Sequence, residues 1–588
     1  MVSESLAIRC LKKAALQAMH SFGRTVTGRK LFLDMSTIAG PEGPGRPMWE
    51  MSLGEFLDAA VRRNPDKVFV EMAGEKVTYR QLQIKVGETA SLFQALGVAP
   101  GDRVGLFMPN CLEYLYSWFG LSSIGAISVP INTAYKRDET AYILNDAEAV
   151  GLVAHISLVS VAQEASVLAP SVRYKLVVAG EPSTDSPSAS GEELVSDEWT
   201  DFADALSCAG PLAFTPTVSP DAVSMLVYTS GTTGNPKGVM VSHQMYVAAG
   251  QGFAHWTEAT PDDRFFTCLP YFHANVQYYS TMGSLAAGAT LVVVDRFSAS
   301  RFWDQVRAAN ATVVNFIGMM MPVLSKQPET PQDRDNQVRL FYGSPAFPPE
   351  FLEAFQERFG TDIIVGFGMT ETCYGTIEEI GDRRRPSSSG SARRHPDSRF
   401  DNQVRISDSD SGEPVPTGTV GEITITNPAV MSGYWRNEEQ TKQSLRDGWL
   451  YTGDLGWIDE DGFLYFVDRK KDIIRRRGEN ISSQEVEDVI KRHPAVMDCA
   501  VIAVPSELGE DEVKAYVARR PEFELEPAEV VYWCAEHLAY FKVPRYLELR
   551  DELPRTPSMR VRKDLLRQER DDLTLGCFDC EAAGIRIR

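Results

Sequence analysis

From Trp49 onward, short apolar runs alternate with longer amphipathic stretches. Val104-Gly105-Leu106-Phe107-Met108 and Ala126-Ile127-Ser128-Val129-Pro130-Ile131 are compact and rich in β-branched residues, whereas 79–96 and 111–124 repeat their apolar positions at helical spacing. Strands that alternate with helices of that length predict parallel sheets joined by crossover helices, an α/β fold. The pattern restarts as a compact unit of strands and helices from Lys470 to Arg567 and then loses its period. Residues 181–201, rich in Ser, Asp, Glu and Pro, read as an exposed acidic loop, and 382–400, rich in Arg, Ser and Pro, read as surface. Residues 1–47 have few acidic groups and leave through Gly40-Pro41-Glu42-Gly43-Pro44-Gly45. The expected division is a flexible extension (1–47), a large domain (48–469), a small domain (470–567) and a loose tail (568–588). No internal repeat is found.

Length supports this division, because 588 residues exceed what one hydrophobic core holds. Apolar residues at 43% and charged residues at 24% are ordinary for a globular chain. No run of about 18 apolar residues predicts a membrane span, and the basic stretch 1–30 lacks the apolar core of a secretory signal. The net charge of −21 argues against nucleic acid or an anionic membrane as the main partner, but a local basic pocket can still hold an anionic ligand. Nine scattered cysteines fit reduced thiols in a cytoplasm. The lone Cys577-Phe578-Asp579-Cys580 has no second pair to complete a zinc set.

The chemistry enters at Tyr228-Thr229-Ser230-Gly231-Thr232-Thr233-Gly234-Asn235-Pro236-Lys237-Gly238, which follows the apolar run Val223–Val227. Glycines let backbone N–H groups approach anionic oxygens, and the hydroxyls with Lys237 complete a polyphosphate site. The ATPase P-loop pattern requires Ser or Thr after its Lys; here Gly238 follows. Val239-Met240-Val241 reads as a second strand, with Ser242 capping a helix.

This loop and the motifs that follow it in order resemble the superfamily of acyl-CoA synthetases, peptide-synthetase adenylation domains and luciferases, known as ANL enzymes. The resemblance covers roughly residues 50–567. It implies the ANL fold: a large N-terminal domain of mixed sheets with crossover helices and a small, mobile α+β C-terminal domain. It implies ATP or AMP (as acyl-adenylate), coenzyme A and Mg²⁺ as ligands, with a small-molecule carboxylic acid as substrate. In Gly366-Phe367-Gly368-Met369-Thr370-Glu371-Thr372 it places Phe367 on adenine, Thr370 on phosphate and Glu371 on Mg²⁺; a flat ring suits a purine and a carboxylate suits a hard cation. It places Gly343, Ser344 and Pro345 against AMP as well. In Tyr451-Thr452-Gly453-Asp454-Leu455-Gly456 it makes Asp454 the acceptor for the ribose hydroxyls, with Arg469 as a second contact.

The resemblance also makes Lys471 the hinge about which the small domain alternates. It sets Gly478 in the pantetheine tunnel, where only a residue without a side chain leaves room, and Arg475 and Arg477 near the phosphates of coenzyme A, although a solvated charge run reads equally well. The acyl pocket draws on Phe272-His273-Ala274-Asn275, Tyr278, Phe316-Ile317-Gly318-Met319 and Cys373-Tyr374, with His273 beside the reacting carboxylate. Residues 269–303 are most similar to the crotonobetaine/carnitine-CoA ligase branch, a similarity that does not carry the acid with it.

Two positions depart from the family, Met559 in place of its Gly and Arg560 in place of its Lys. Its closing Pro-x-Thr-x-x-Gly-Lys segment, whose Lys bridges carboxylate and α-phosphate during adenylation, here reads Pro554-Arg555-Thr556-Pro557-Ser558-Met559-Arg560, with Lys563 three residues on. Arg is planar and bulkier than an ammonium, and removal of one such group commonly costs roughly 10²–10³ in rate. The expectation is an acyl-CoA ligase that forms thioester from acyl-adenylate and coenzyme A, with adenylation weakened or lost and a separate adenylating enzyme as donor. Arg560 on this branch resembles acyl-CoA ligases of bacterial diterpenoid antibiotic pathways of the platensimycin type. The alternatives are a complete ATP-dependent synthetase, an adenylating enzyme that loads a carrier protein, and a nucleotide-binding regulator without catalysis.

Overall fold

The computed structural model describes residues 37–38, 46–47, 50–180, 198–210, 216–229, 236–318, 320–381, 385–470, 472–476, 479–505, 511–538, 540–556 and 560–585. Helix Leu112–Ser123 carries the chain from strand Arg103–Phe107 to its parallel neighbour Ile127–Pro130, with Val104 opposite Ser128. This is the crossover that the apolar pattern predicts. Helix Tyr79–Ala95 starts on a capping box: Thr78 accepts from the Gln81 N–H and the Gln81 side chain returns to the Thr78 N–H. Between these helices and the sheets Tyr114, Trp118 and Phe119 are buried, each side chain contributing about 1.5–3 kcal/mol.

Among the described residues, two large sheets form the N-terminal part. One has seven strands, and its edge hairpin pairs Val223–Thr229 antiparallel with Lys237–Ser242. Ser242 accepts from the Met245 N–H at 3.2 Å and opens helix His243–Trp256, the cap read from sequence. The other has eight strands, in which Leu340–Ser344 and Asp362–Met369 run parallel before the chain doubles back as Thr372–Ile377. A five-stranded sheet follows, in which Trp449–Ile458 and Leu464–Arg469 are antiparallel neighbours.

The small C-terminal unit has its own core under a sheet of Val496–Pro505, Asp511–Arg519, Tyr546–Arg550 and Phe578–Asp579. Here three sequence readings need correction. The stretch after Arg567 is not a loose tail: Phe578 pairs with Leu547 and Cys580 is buried in the small core. Part of the supposed surface at 382–400 turns inward, because Ser388, Ser389, His395 and Asp397 are buried; His395 packs edge-on against Trp256 and stacks on Tyr374. Polar composition misled because these groups find partners inside, such as the Ala248 carbonyl for His395 Nε2 at 2.9 Å. Of the acidic loop, residues 181–197 lie outside the described set, but Trp199 is buried and Thr200–Asp201 is a strand. Of residues 1–47, only the pairing of Thr37–Ile38 with Arg46–Pro47 is described.

Candidate active site

Antiparallel pairing places Thr229 opposite Lys237 at the mouth of the edge hairpin. Ser230, Gly231, Thr232, Thr233 and Gly234 lie outside the described residues. The Lys237 ammonium donates to Gln440 Oε1 and sits 5.5 Å from the ring centroid of Tyr434. The Tyr434 hydroxyl in turn donates to Glu371 Oε1 at 2.9 Å. Burial pushes the Glu371 carboxyl up and the Lys237 ammonium down, while the Glu371 charge partly restores Lys237. A buried carboxylate whose charge burial penalises gains from a cation. One such group fits Mg²⁺, which takes one or two protein carboxylates and leaves its other positions to phosphate and water. Tyr434 and Gln440 escaped the sequence reading; Gly433-Tyr434-Trp435 before a polar helix was the available signal.

Two neighbouring strands build the next wall. The Gly343 backbone lies so near the Phe316 carbonyl that a Cβ would meet that oxygen at 2.1 Å, and at Gly366 a Cβ would meet the Thr376 carbonyl at 2.7 Å. The strands therefore close tightly and leave their far face to a cavity of about 400 Å³. Gly343, Ser344, Gly366, Phe367, Gly368, Met369 and Thr370 line it together with His273, Asn275 and Tyr278. Pro345 packs on Gly318 instead: a Cβ at Gly318 would meet Pro345 Cδ at 3.0 Å.

The apolar end of the cavity is aromatic, built from Phe253, Trp256, Tyr279, Tyr342 and Tyr374. Arg393 also lines the cavity. One pocket expectation fails: the Cys373 thiol turns away, buried, and donates to the carbonyls of Met245 and Ala429. Alternation along strand Thr372–Ile377 gives the cavity to Tyr374 and the interior to Cys373. The Tyr278 hydroxyl donates to the Thr370 carbonyl at 3.0 Å and steadies the turn before Glu371. Burial holds the His273 imidazole down to about 4, so the ring is neutral at physiological pH, and its Nε2 has no partner among the described residues.

Asp454 and Arg469 face each other across antiparallel strands, with Arg469 Nε 3.5 Å from Asp454 Oδ1. Burial raises the Asp454 carboxyl, and the charges of Arg469 and Arg560 pull it back. The small unit thus presents Arg560 to this pair. Its loop is tied at the base: the Thr556 N–H donates to the Arg560 carbonyl at 2.7 Å and the Arg560 N–H to Thr556 Oγ1 at 3.0 Å.

Lys563 is spent elsewhere. Its ammonium pairs with Glu487 at 2.7 Å and donates to Ser483 at 2.6 Å. Arg476, read from sequence as part of a charge run, is buried, 2.7 Å from Glu512, and donates to the Phe541 and Val543 carbonyls. Lys471, Arg477 and Gly478 lie outside the described residues, as does the Arg475 side chain; the Arg475 backbone belongs to the strand Ile474–Arg476. Among the described residues no cluster of three or more metal-ligating side chains occurs, and no helix is long and apolar enough to cross a membrane.

Comparison with known proteins bears on this arrangement. The family described as AMP-binding enzyme matches residues 57–435, and the AMP-binding enzyme C-terminal domain matches 485–560. A crotonobetaine/carnitine–CoA ligase of Salmonella typhi is 35% identical over 535 residues, which is 89% of this chain and 98% of that protein. Among solved structures, ATP-bound MatB from Rhodopseudomonas palustris superposes with a TM-score of 0.78 at 28% identity, covering 89% of this chain and 100% of that one. The anthranilate CoA ligase AuaEII, in complex with anthranoyl-AMP, gives 0.77 at 26% identity, covering 89% and 97%. The chain belongs to the AMP-binding enzymes and is an AMP-forming acyl-CoA ligase of the ANL superfamily.

Proposed function

We propose that this ligase works chiefly in the second half-reaction: it takes a preformed acyl-adenylate and coenzyme A and releases acyl-CoA and AMP. The observation that carries this reading is the state of the two cations on the closing segment. Arg560, at the position where the resemblance expects a lysine, stands close enough to Asp454 and Arg469 for its charge to act on both. Lys563 is held by Glu487 and Ser483 inside the small unit. A register shift to bring Lys563 forward would break that pair, the Thr556–Arg560 hydrogen bonds and the Arg555–Val561 bridge together. That position holds a planar fork where adenylation uses a compact point charge.

In this reading Phe367 presents its ring to adenine, Asp454 accepts from the ribose hydroxyls, and Thr370 and Lys237 meet phosphate. Glu371 would hold Mg²⁺, which neutralises phosphate charge when ATP is bound. His273, neutral, orients the acyl group without adding charge beside it. The thiol sulfur of coenzyme A forms the new bond to the acyl carbon, the carbon–oxygen bond to AMP breaks, and the thiol proton is lost. Coenzyme A enters past Gly478 and the Arg475–Arg477 run when the small domain turns about Lys471, as the resemblance implies. The adenylate comes from a separate adenylating enzyme, and the setting is cytoplasmic secondary metabolism. The similarity to crotonobetaine/carnitine–CoA ligase does not carry the acid over.

The test sets two assays side by side: pyrophosphate exchange with ATP and free acid, and thioester formation from synthetic adenylate and coenzyme A. Slow or absent exchange with ready thioesterification is expected, and Arg560→Ala should hardly change the second rate. Brisk exchange by the unmodified chain would make it a complete ATP-dependent synthetase.

A further inference from the structure

We propose that Arg393 reads the distal end of the acid and selects a substrate with an oxygen acceptor there, on an otherwise apolar body. The assignment rests on the adenylate-site reading above. Ser391, two residues earlier, pairs in both directions with Ile377: the Ile377 N–H donates to the Ser391 carbonyl at 3.0 Å and the Ser391 N–H to the Ile377 carbonyl at 3.3 Å. Ile377 ends the strand that begins at Thr372, beside Thr370 and Glu371. Five residue steps separate these ends, roughly 17 Å at a strand's rise. The next residue ties this segment to the aromatic wall, because the Arg394 carbonyl accepts from the Trp256 indole N–H at 2.8 Å, and Arg393 joins the cavity wall there, away from Thr370 and Glu371.

Its protein partners leave it incompletely engaged. Nε lies 3.6 Å from Glu379 and Nη1 donates to the Glu378 carbonyl at a long 3.3 Å. A guanidinium carries five N–H donors, so several remain for a ligand. Glu379 offsets part of the charge, which suits a ketone or hydroxyl as well as a carboxylate, while an alkyl terminus would offer the donors no acceptor. A quaternary ammonium terminus would face like charge.

The experiment uses the full chain and four acyl sulfamoyl-adenosines, stable mimics of acyl-adenylate: dodecanoyl, its terminal methyl ketone analogue, the matching ω-carboxylate and the matching ω-trimethylammonium. Calorimetry should show the two oxygen-bearing probes bound about tenfold or more tighter than the alkyl probe, with the trimethylammonium probe weakest. The ketone and carboxylate arms tell a neutral from an anionic terminus. Arg393→Met should erase the preference while sulfamoyl-adenosine itself binds unchanged, which also shows that the variant is folded; Arg393→Lys should keep part of it. Equal affinity of the alkyl and oxygen probes in the unmodified chain, or a preference that survives Arg393→Met, overturns the assignment and leaves the adenylate reading standing. Failure of all four probes and of sulfamoyl-adenosine overturns both.

Discussion

Asp454 is buried, its charge is penalised by burial, and the cation paired with it, Arg469, stands off at 3.5 Å. Such a carboxylate gains from hydroxyl donors, and two adjacent ribose hydroxyls supply them. Asp454→Ala should therefore weaken AMP or acyl-adenylate binding by about 1.5–3 kcal/mol, the worth of hydrogen bonds to a charged group, as calorimetry would measure. Unchanged affinity would remove the ribose from this position. The same logic separates Arg393 from Arg476 and Arg358, which spend their donors on carbonyls and carboxylates at 2.6–3.0 Å, whereas the contacts of Arg393 are 3.3 and 3.6 Å.

The closing segment is a device at the scale of the element. Its turn is pinned at Thr556 and Arg560, and the next helix, Lys563–Gln568, begins with the lysine anchored to helix Ser483–Lys491 through Glu487. Glu487 also accepts from the Val501 N–H at 2.8 Å and ties that helix to the sheet. Lys563 thus acts as a structural tether. Lys563→Met should cost about 1.5–3 kcal/mol in the stability of the small domain, because buried Glu487 loses its short charged hydrogen bond and keeps only the longer pair with Lys491 at 3.7 Å. Urea denaturation checks this, and Lys563→Arg, which keeps a charge opposite Glu487, should lose less. Were Lys563→Met stable but unable to adenylate, the lysine would belong to the chemistry.

Over the whole molecule, burial lowers the imidazoles of His155, His243, His255, His273, His395 and His493, with His243 and His273 held down to about 4. Between about pH 6.5 and 4 the unfolded chain binds the protons of His243 and His273 and the folded one does not. Stability should therefore fall as pH drops through that window. Each fully buried histidine adds a slope approaching about 1.4 kcal/mol per pH unit. Denaturant midpoints between those limits should fall less steeply for His243→Gln and His273→Gln than for the parent. A slope unchanged by both substitutions would mean that these rings are protonated in the fold.

The sequence by itself determined the fold class, the family and the order of its motifs, because these rest on local signals. The 104–108 and 126–131 runs had to be strands and 111–124 their crossover helix, and Ser242 had to cap what followed. Glycine-rich turns and the Thr370-Glu371 pair are likewise written in adjacent residues. The tertiary structure decided what depends on residues far apart. It brought Tyr434 to Glu371, Arg560 to Asp454 and Lys563 to Glu487, and it turned Cys373 away from the cavity that Tyr374 enters. It drew His395 and the Arg394 carbonyl against Trp256 from a stretch that composition marks as surface, and built Phe578 and Asp579 into the small sheet. Burial, and with it every displaced pKa and every committed or uncommitted cation, is a property of packing that no local pattern records.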